Sequence, residues 1–62
     1  MNTAQKKTVL VIEDDQEIKL TLASILQTEG YATRTAENGL EALRDIDQQG
    51  LPSLMLLDMR MP

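Results

Sequence analysis

Residues 9–15 read Val9-Leu10-Val11-Ile12-Glu13-Asp14-Asp15, an uninterrupted apolar run that ends in three acids. A second apolar run, Leu54-Met55-Leu56-Leu57, ends in the same way, at Asp58. Short, continuous runs of aliphatic residues are typical of strands that are covered on both faces. Each strand therefore delivers carboxylates at its carboxyl end, which is the edge where open α/β sheets bind ligands.

The segment between the two runs predicts a helix, a strand and a second helix. Apolar residues recur at helical spacing between residues 16 and 29, in one stripe of Ile18, Leu22, Ile25 and Leu26. Either Asp14 or Asp15 can cap the start of this helix, and Gly30 can adopt a left-handed conformation after its end. The β-branched residues that follow predict a short strand over 31–36, and their polarity predicts that this strand lies at an edge.

The second helix is predicted by the sequence Asn38-Gly39-Leu40-Glu41, which has the form of a capping box. Its expected buried side consists of Leu40, Leu43 and Ile46, and its expected end is near Gly50. Pro52 prevents the helix from continuing and introduces the third strand over residues 53–57.

Alternating strands and helices with short connections predict an α/β fold with a parallel sheet. With right-handed crossovers and the third strand paired to the first, the strand order is 2-1-3 and the two helices cover opposite faces. This order places Glu13, Asp14 and Asp58 side by side where the strand order reverses.

Composition excludes several classes of function. The 62 residues include no Cys and no His, which removes zinc sites, disulfides and nucleophiles activated by imidazole. A net charge of −4 and a single aromatic residue, Tyr31, argue against nucleic-acid binding by this segment. No run is long enough to span a bilayer and no signal peptide is evident, so we expect a cytoplasmic protein that does not contact membranes.

The acidic edge has a chemical interpretation and a structural one. Neighbouring carboxylates repel, so they recruit a cation or share protons, and Mg²⁺ prefers such oxygen ligands. A carboxylate beside Mg²⁺ can act as a nucleophile toward a phosphoryl group. Alternatively, residues 13–15 only cap a helix and Asp58 only ends a strand. The joint occurrence of both motifs across one β-α-β-α-β unit favours the chemical interpretation.

Three motifs together resemble the receiver domain of two-component response regulators: residues 9–15, residues 36–43 and residues 56–62. The resemblance implies a flavodoxin-like, doubly wound sheet and a role in phosphorelay signal transduction. Asp58 would then accept a phosphoryl group from a sensor histidine kinase or a phosphotransfer protein. By the same resemblance, the Mg²⁺ ligands are Asp14, Asp58, Glu13 through a water, and the backbone carbonyl of Arg60.

A complete receiver continues with further strands and helices, so we expect residues 1–62 to form its amino-terminal half, with a polar leader over 1–7. The family's switching hydroxyl and phosphate-binding lysine belong to the other half, so this segment is not expected to switch. The third strand then forms an exposed apolar edge, which predicts self-association.

Two other functions compete with a phosphoacceptor that is not itself an enzyme. One is a pseudo-receiver, an interaction module that is never phosphorylated. The other is a metal-dependent phosphohydrolase, which is disfavoured because Arg60 stands where those enzymes usually carry a second acid. Kinase contacts in this family usually involve the first helix, so Lys19, Leu20 and Ala23 are candidates, with simple packing as the alternative.

Overall fold

The computed structural model describes residues 6–58, and these residues form three strands and two helices. In chain order the elements are β1 (Thr8–Ile12), α1 (Gln16–Thr28), β2 (Ala32–Ala36), α2 (Gly39–Gln49) and β3 (Leu54–Leu57). The predicted alternation is confirmed, and the boundaries agree with the sequence pattern to within about one residue. Neither helix of this range is long and apolar enough to cross a membrane.

The three strands form one parallel sheet in the order β2-β1-β3, as the sequence predicts for a doubly wound fold. In the register, Leu10 of β1 lies between Arg34 of β2 and Met55 of β3. The central strand is the most buried one, with four of its five residues buried, because it is covered on both faces. The polar β2 lies at an edge, as its composition predicts.

The hydrophobic core lies on both faces of β1. On one face, Leu10 and Ile12 pack with Ala36 and with Ala42 of α2. Val9 and Val11 point to the other face, because successive side chains of a strand alternate, and they are also buried. Since α1 is the other helix that contacts β1, it supplies the cover on that face. The two helices therefore lie on opposite sides of the sheet.

The prediction of the buried side of α2 is wrong for two of its three residues. Leu40 and Leu43 are 60% and 66% exposed, whereas Ala42 is buried and Ile46 packs against the core. Among the elements of residues 6–58, α2 packs against β1 and β2, and the small residues Ala36 and Ala42 meet where it crosses them. Small residues permit close approach, so they and not the larger leucines occupy the contact.

The packing face of α1 agrees with the predicted stripe at Ile18, Leu22 and Leu26, which are half-buried, and differs from it at Ile25. Ile25 is 55% exposed, while Lys19 and Ala23 are buried. A lysine can cover an apolar surface with its methylene stem, so burial of Lys19 is compatible with packing. Of the three residues considered for kinase contacts, Lys19 and Ala23 therefore serve packing, and Leu20, at 59% exposure, is accessible.

Arg34 fixes the carboxyl end of α2 to β2. Its Nη2 donates to the carbonyl oxygen of Gly50 at 2.6 Å and lies 2.7 Å from Oδ1 of Asp45. Gly50 has a φ of +91°, a conformation that residues with a Cβ rarely adopt. The ion pair and the glycine together end the helix and direct the chain toward β3.

Candidate functional site

A cleft of about 370 Å³ opens at the carboxyl ends of the three strands. Three segments line it, namely the ends of β1 and β3 and the connection from β2 to α2. Its residues are Ile12, Glu13, Asp14, Glu37, Asn38, Gly39, Leu57 and Asp58. The sequence-predicted acids Glu13, Asp14 and Asp58 thus share one cleft, at the position where strand order reverses.

Glu13 is the buried member of the cluster, with 1% of its surface exposed. Its backbone N–H donates to the carbonyl of Ala36 at 3.0 Å, which extends the pairing of β1 with β2 by one residue. One carboxylate oxygen, Oε2, accepts from the backbone N–H of Asp15 at 2.8 Å. The other oxygen, Oε1, is buried and has no hydrogen-bond partner among residues 6–58. A buried carboxylate oxygen without a partner is available to accept from a water or to coordinate a cation.

The sequence left open whether Asp14 or Asp15 caps α1, and the structure assigns the cap to Asp15. Oδ1 of Asp15 accepts from the backbone N–H of Ile18 at 3.0 Å, and Asp15 has the extended conformation of an N-cap residue. Asp14 is instead exposed and lines the cleft. The three adjacent acids therefore have three roles: a buried acceptor, a cleft carboxylate and a helix cap.

Asp58 lies just after β3, and its side chain is exposed at the cleft. The backbone N–H of Asp58 donates to the carbonyl of Ile12 at 3.1 Å. This hydrogen bond fixes the end of β3 next to the end of β1, so the Asp58 carboxylate is presented from a paired strand end and not from a free loop. An exposed carboxylate held in this way is accessible to a reactant in the cleft.

The connection from β2 to α2 contributes lining residues that the sequence analysis did not assign to the site. Asn38 caps α2, because its Oδ1 accepts from the backbone N–H of Glu41 at 2.8 Å. The carboxylate of Glu41 accepts from the backbone N–H of Glu37 at 2.9 Å. In a capping box it would accept from the backbone N–H of the N-cap residue, which here is Asn38, one residue later. Glu37 adds a further exposed carboxylate. The position of Glu37 directly after β2 could have predicted its place in the cleft, since the carboxyl ends of all parallel strands meet at this edge.

A divalent cation fits the donor set of this cleft. Residues 6–58 contain no cluster of three or more acidic side chains that could hold a metal, so they form no complete cage. Mg²⁺ does not require one, because it is usually held by one or two carboxylates and keeps several waters. Asp14 and Asp58 offer exposed carboxylates, and Oε1 of Glu13 offers an acceptor for a water. Arg60, whose carbonyl was a predicted ligand, lies outside the described residues.

The cleft contains no positive side chain from the described range to balance its acids. Arg34 is engaged at the far end of α2 by Asp45 and Gly50, and Lys19 is buried on α1. The lining residues themselves are acidic, neutral or apolar. The field at the site is therefore negative, which favours binding of a cation before an anion can approach.

The chain is similar to known proteins over most of its length. The family model described as "Response regulator receiver domain" matches residues 9–62. Sporulation initiation phosphotransferase F of Bacillus subtilis is 43% identical over 54 residues, which cover 87% of this chain and 43% of that protein.

Regulators and kinases also occur among the similar proteins. Transcriptional regulatory protein CreB of Escherichia coli is 41% identical over 58 residues, 94% of this chain and 25% of that protein. The CAI-1 autoinducer sensor kinase/phosphatase CqsS of Vibrio cholerae is 33% identical over 57 residues, 92% of this chain and 8% of that protein. The chain thus spans less than half the length of each of these relatives.

Proposed function

The chain belongs to the receiver domain family of two-component response regulators, and from this premise we propose that Asp58 accepts a phosphoryl group from a phosphohistidine. The donor is a sensor histidine kinase or a phosphotransfer protein. The observation that carries the proposal is the cleft in which Asp58 is exposed beside Asp14 and Glu13. A cytoplasmic location belongs to the same proposal, because such a donor carries its phosphohistidine there.

The reaction is an in-line transfer between two nucleophiles. A carboxylate oxygen of Asp58 forms a bond to phosphorus while the P–N bond of the phosphohistidine breaks. The electron pair of that bond stays on the imidazole, which leaves as the free base or takes a proton from solvent. The role of the chain is to hold Asp58 on a paired strand end, since fixed geometry supplies much of the rate of such transfers.

Mg²⁺ would be held by Asp14 and Asp58, with Glu13 acting through a water and the Arg60 carbonyl completing the protein ligands. When bound, the ion supplies positive charge that offsets the repulsion between these acids and the incoming phosphoryl group. The unpartnered Oε1 of Glu13 supports its role as an acceptor for a metal-bound water. Asp15 caps α1, so the carboxylate of Asp14 is not needed for that hydrogen bond and is available to bind the cation.

This segment receives the phosphoryl group but does not itself convert phosphorylation into a conformational change. A receiver needs a positive group and a bistable element that respond to the new charge. In the part of the chain that the structure describes, no cationic side chain lines the cleft.

The test is incorporation of one phosphoryl group from a small phosphodonor, phosphoramidate, followed by intact-protein mass spectrometry. We expect one phosphoryl adduct in the presence of Mg²⁺ and none when the ion is chelated before the phosphodonor is added. Asp58→Asn should remove the adduct, while Asp47→Asn, at an exposed position on α2, should retain it. Undiminished incorporation in Asp58→Asn would refute the assignment of the acceptor.

The same experiment separates this function from a pseudo-receiver. A folded wild-type chain that binds Mg²⁺ and takes up no phosphoryl group from phosphoramidate or from a purified phosphorylated histidine kinase would favour an interaction module. Release of inorganic phosphate in multiple turnovers from a phosphomonoester would instead favour a phosphohydrolase.

A further inference from the structure

Glu37 is an exposed carboxylate in the cleft that the proposed chemistry does not use. It directly follows β2, whereas Asp14 and Asp58 follow β1 and β3. Because the strand order is β2-β1-β3, Glu37 and Asp58 come from the two strands that flank β1. The acceptor and Glu37 therefore enter the cleft from opposite sides of the central strand.

The backbone of Glu37 is fixed from both directions. The carbonyl of Ala36 accepts from the N–H of Glu13 at 3.0 Å, which pairs the preceding residue with the end of β1. The N–H of Glu37 itself donates to the carboxylate of Glu41 at 2.9 Å. Glu37 is thus held between a paired strand end and the first turn of α2, so its side chain starts from a defined position at the cleft.

The carboxylate of Glu37 is not used in the cap of α2. Asn38 provides the cap, and Glu41 accepts the N–H of Glu37. Within residues 6–58 the Glu37 carboxylate has no hydrogen bond or ion pair, and Arg34 is paired with Asp45. Two roles remain for its charge: a favourable position near the positive end of α2, or an action on what enters the cleft.

A second observation points to a cation in the same cleft. Oε1 of Glu13 has no hydrogen-bond partner among the described residues, and Glu13 is 1% exposed. Acids around such an acceptor attract a divalent cation. Residues 6–58 contain no group of three or more acids that could hold a metal directly, so Glu37 acts on the ion through its charge and through water.

We infer that Glu37 makes phosphoryl acceptance depend on prior binding of a divalent cation, a role that rests on the proposed function of Asp58. Without the cation, the charge of Glu37 adds to the repulsion of an anionic phosphodonor. The same charge increases the affinity of the cleft for the cation. Removing it should therefore change two measurements in opposite directions, which a purely structural role at the start of α2 would not do.

The first measurement is the Kd for Mg²⁺ alone, from an amide-resolved NMR titration. Glu37→Gln should raise this Kd by about two- to sixfold at low ionic strength, with a smaller difference at high salt. Glu37→Asp keeps the charge and should bind Mg²⁺ like wild type. The matched control is Glu41→Gln, which removes the same charge near the same helix terminus, keeps an acceptor for the Glu37 N–H, and does not line the cleft. This control should also bind like wild type.

The second measurement is the rate of phosphoryl incorporation from phosphoramidate, followed by intact-protein mass spectrometry. At saturating Mg²⁺, Glu37→Gln should react about twofold faster than wild type, because one charge that opposes the anionic donor is gone. This advantage should disappear at Mg²⁺ concentrations well below the wild-type Kd, where occupancy by the ion limits the rate. Glu41→Gln should follow wild type at both concentrations.

Three results would overturn the inference alone, while wild type still takes up one phosphoryl group at Asp58. They are an unchanged Kd for Mg²⁺ in Glu37→Gln, an equal change in Glu41→Gln, and an unchanged or slower reaction of Glu37→Gln at saturating Mg²⁺. Failure of wild type to take up a phosphoryl group, or full uptake by Asp58→Asn, would instead refute the proposed function and this role of Glu37 with it.

Discussion

Asp14 and Asp15 are adjacent acids with different surroundings, so substituting each in turn separates the stability of α1 from the chemistry of the cleft. Asp15 accepts the N–H of Ile18 at 3.0 Å, and its charge lies at the positive end of the helix. Loss of such a cap lowers the free energy of unfolding by about 1 kcal/mol. Loss of the charge at the helix terminus adds about 0.3–1 kcal/mol. We therefore expect Asp15→Ala to lose about 1–2 kcal/mol.

The expected losses are large relative to the stability of a chain of this size. At about 0.05–0.15 kcal/mol per residue, 62 residues correspond to about 3–9 kcal/mol. In urea unfolding followed by circular dichroism, a slope of about 1 kcal/mol per M converts the loss into a midpoint shift of about 1–2 M. Asp15→Asn is the conservative control: it keeps an acceptor for Ile18 and should lose only about 0.5 kcal/mol.

Asp14→Ala should behave in the opposite way. It removes an exposed carboxylate from a negative cleft, so its free energy of unfolding should stay within about 0.5 kcal/mol of wild type or rise. Addition of Mg²⁺ should stabilise wild type and Asp15→Asn, through preferential binding to the folded state, and should not stabilise Asp14→Ala. The reasoning is refuted if Asp14→Ala is destabilised as much as Asp15→Ala, or if Asp15→Asn is as unstable as Asp15→Ala.

Four further substitutions test the packing through the same urea titration. Arg34→Met should lose about 2 kcal/mol, because the mostly buried Asp45 and the Gly50 carbonyl lose their partner, and a loss below about 0.5 kcal/mol would contradict this. Leu10→Ala should lose about 2–5 kcal/mol, because Leu10 is fully buried at the centre of the sheet, and a loss below about 1 kcal/mol would contradict this. Leu43→Gln should change stability by no more than about 0.5 kcal/mol, and a core-sized loss would show that this exposed leucine is packed after all. Gly50→Ala should lose about 1–3 kcal/mol, since its φ of +91° is strained for alanine, and an unchanged midpoint would refute that assignment.

The predicted elements of the fold are confirmed because they depend on local signals. Apolar run length marks β1 and β3, and Asn38 marks the start of α2 through a cap that needs only neighbouring residues. The polar composition of β2 predicts its edge position. Strand order follows from the same alternation together with the handedness of the crossovers, which is why the carboxylates of β1 and β3 could be expected at one cleft.

The residues through which each helix contacts the sheet were only partly predictable in this way. Periodicity identifies a stripe of large apolar residues, but close packing on a sheet is set by the shape of the surface beneath the helix. Over β2 and β1, α2 approaches through Ala42 and leaves Leu43 exposed, and α1 buries Lys19 while exposing Ile25. No pattern within a single helix contains the shape of its partner.

The separate roles of Glu13, Asp14 and Asp15 were likewise decided by tertiary packing. The residue types and their positions after β1 and β3 indicated a negative site, and they were sufficient to propose Mg²⁺ and an acceptor. Which acid caps α1, which is buried and which lines the cleft depends on the direction of the chain as it leaves β1. Packing of α1 and pairing with β2 fix that direction, so Asp15 meets the Ile18 amide, Glu13 is enclosed, and Asp14 lies in the cleft beside Asp58.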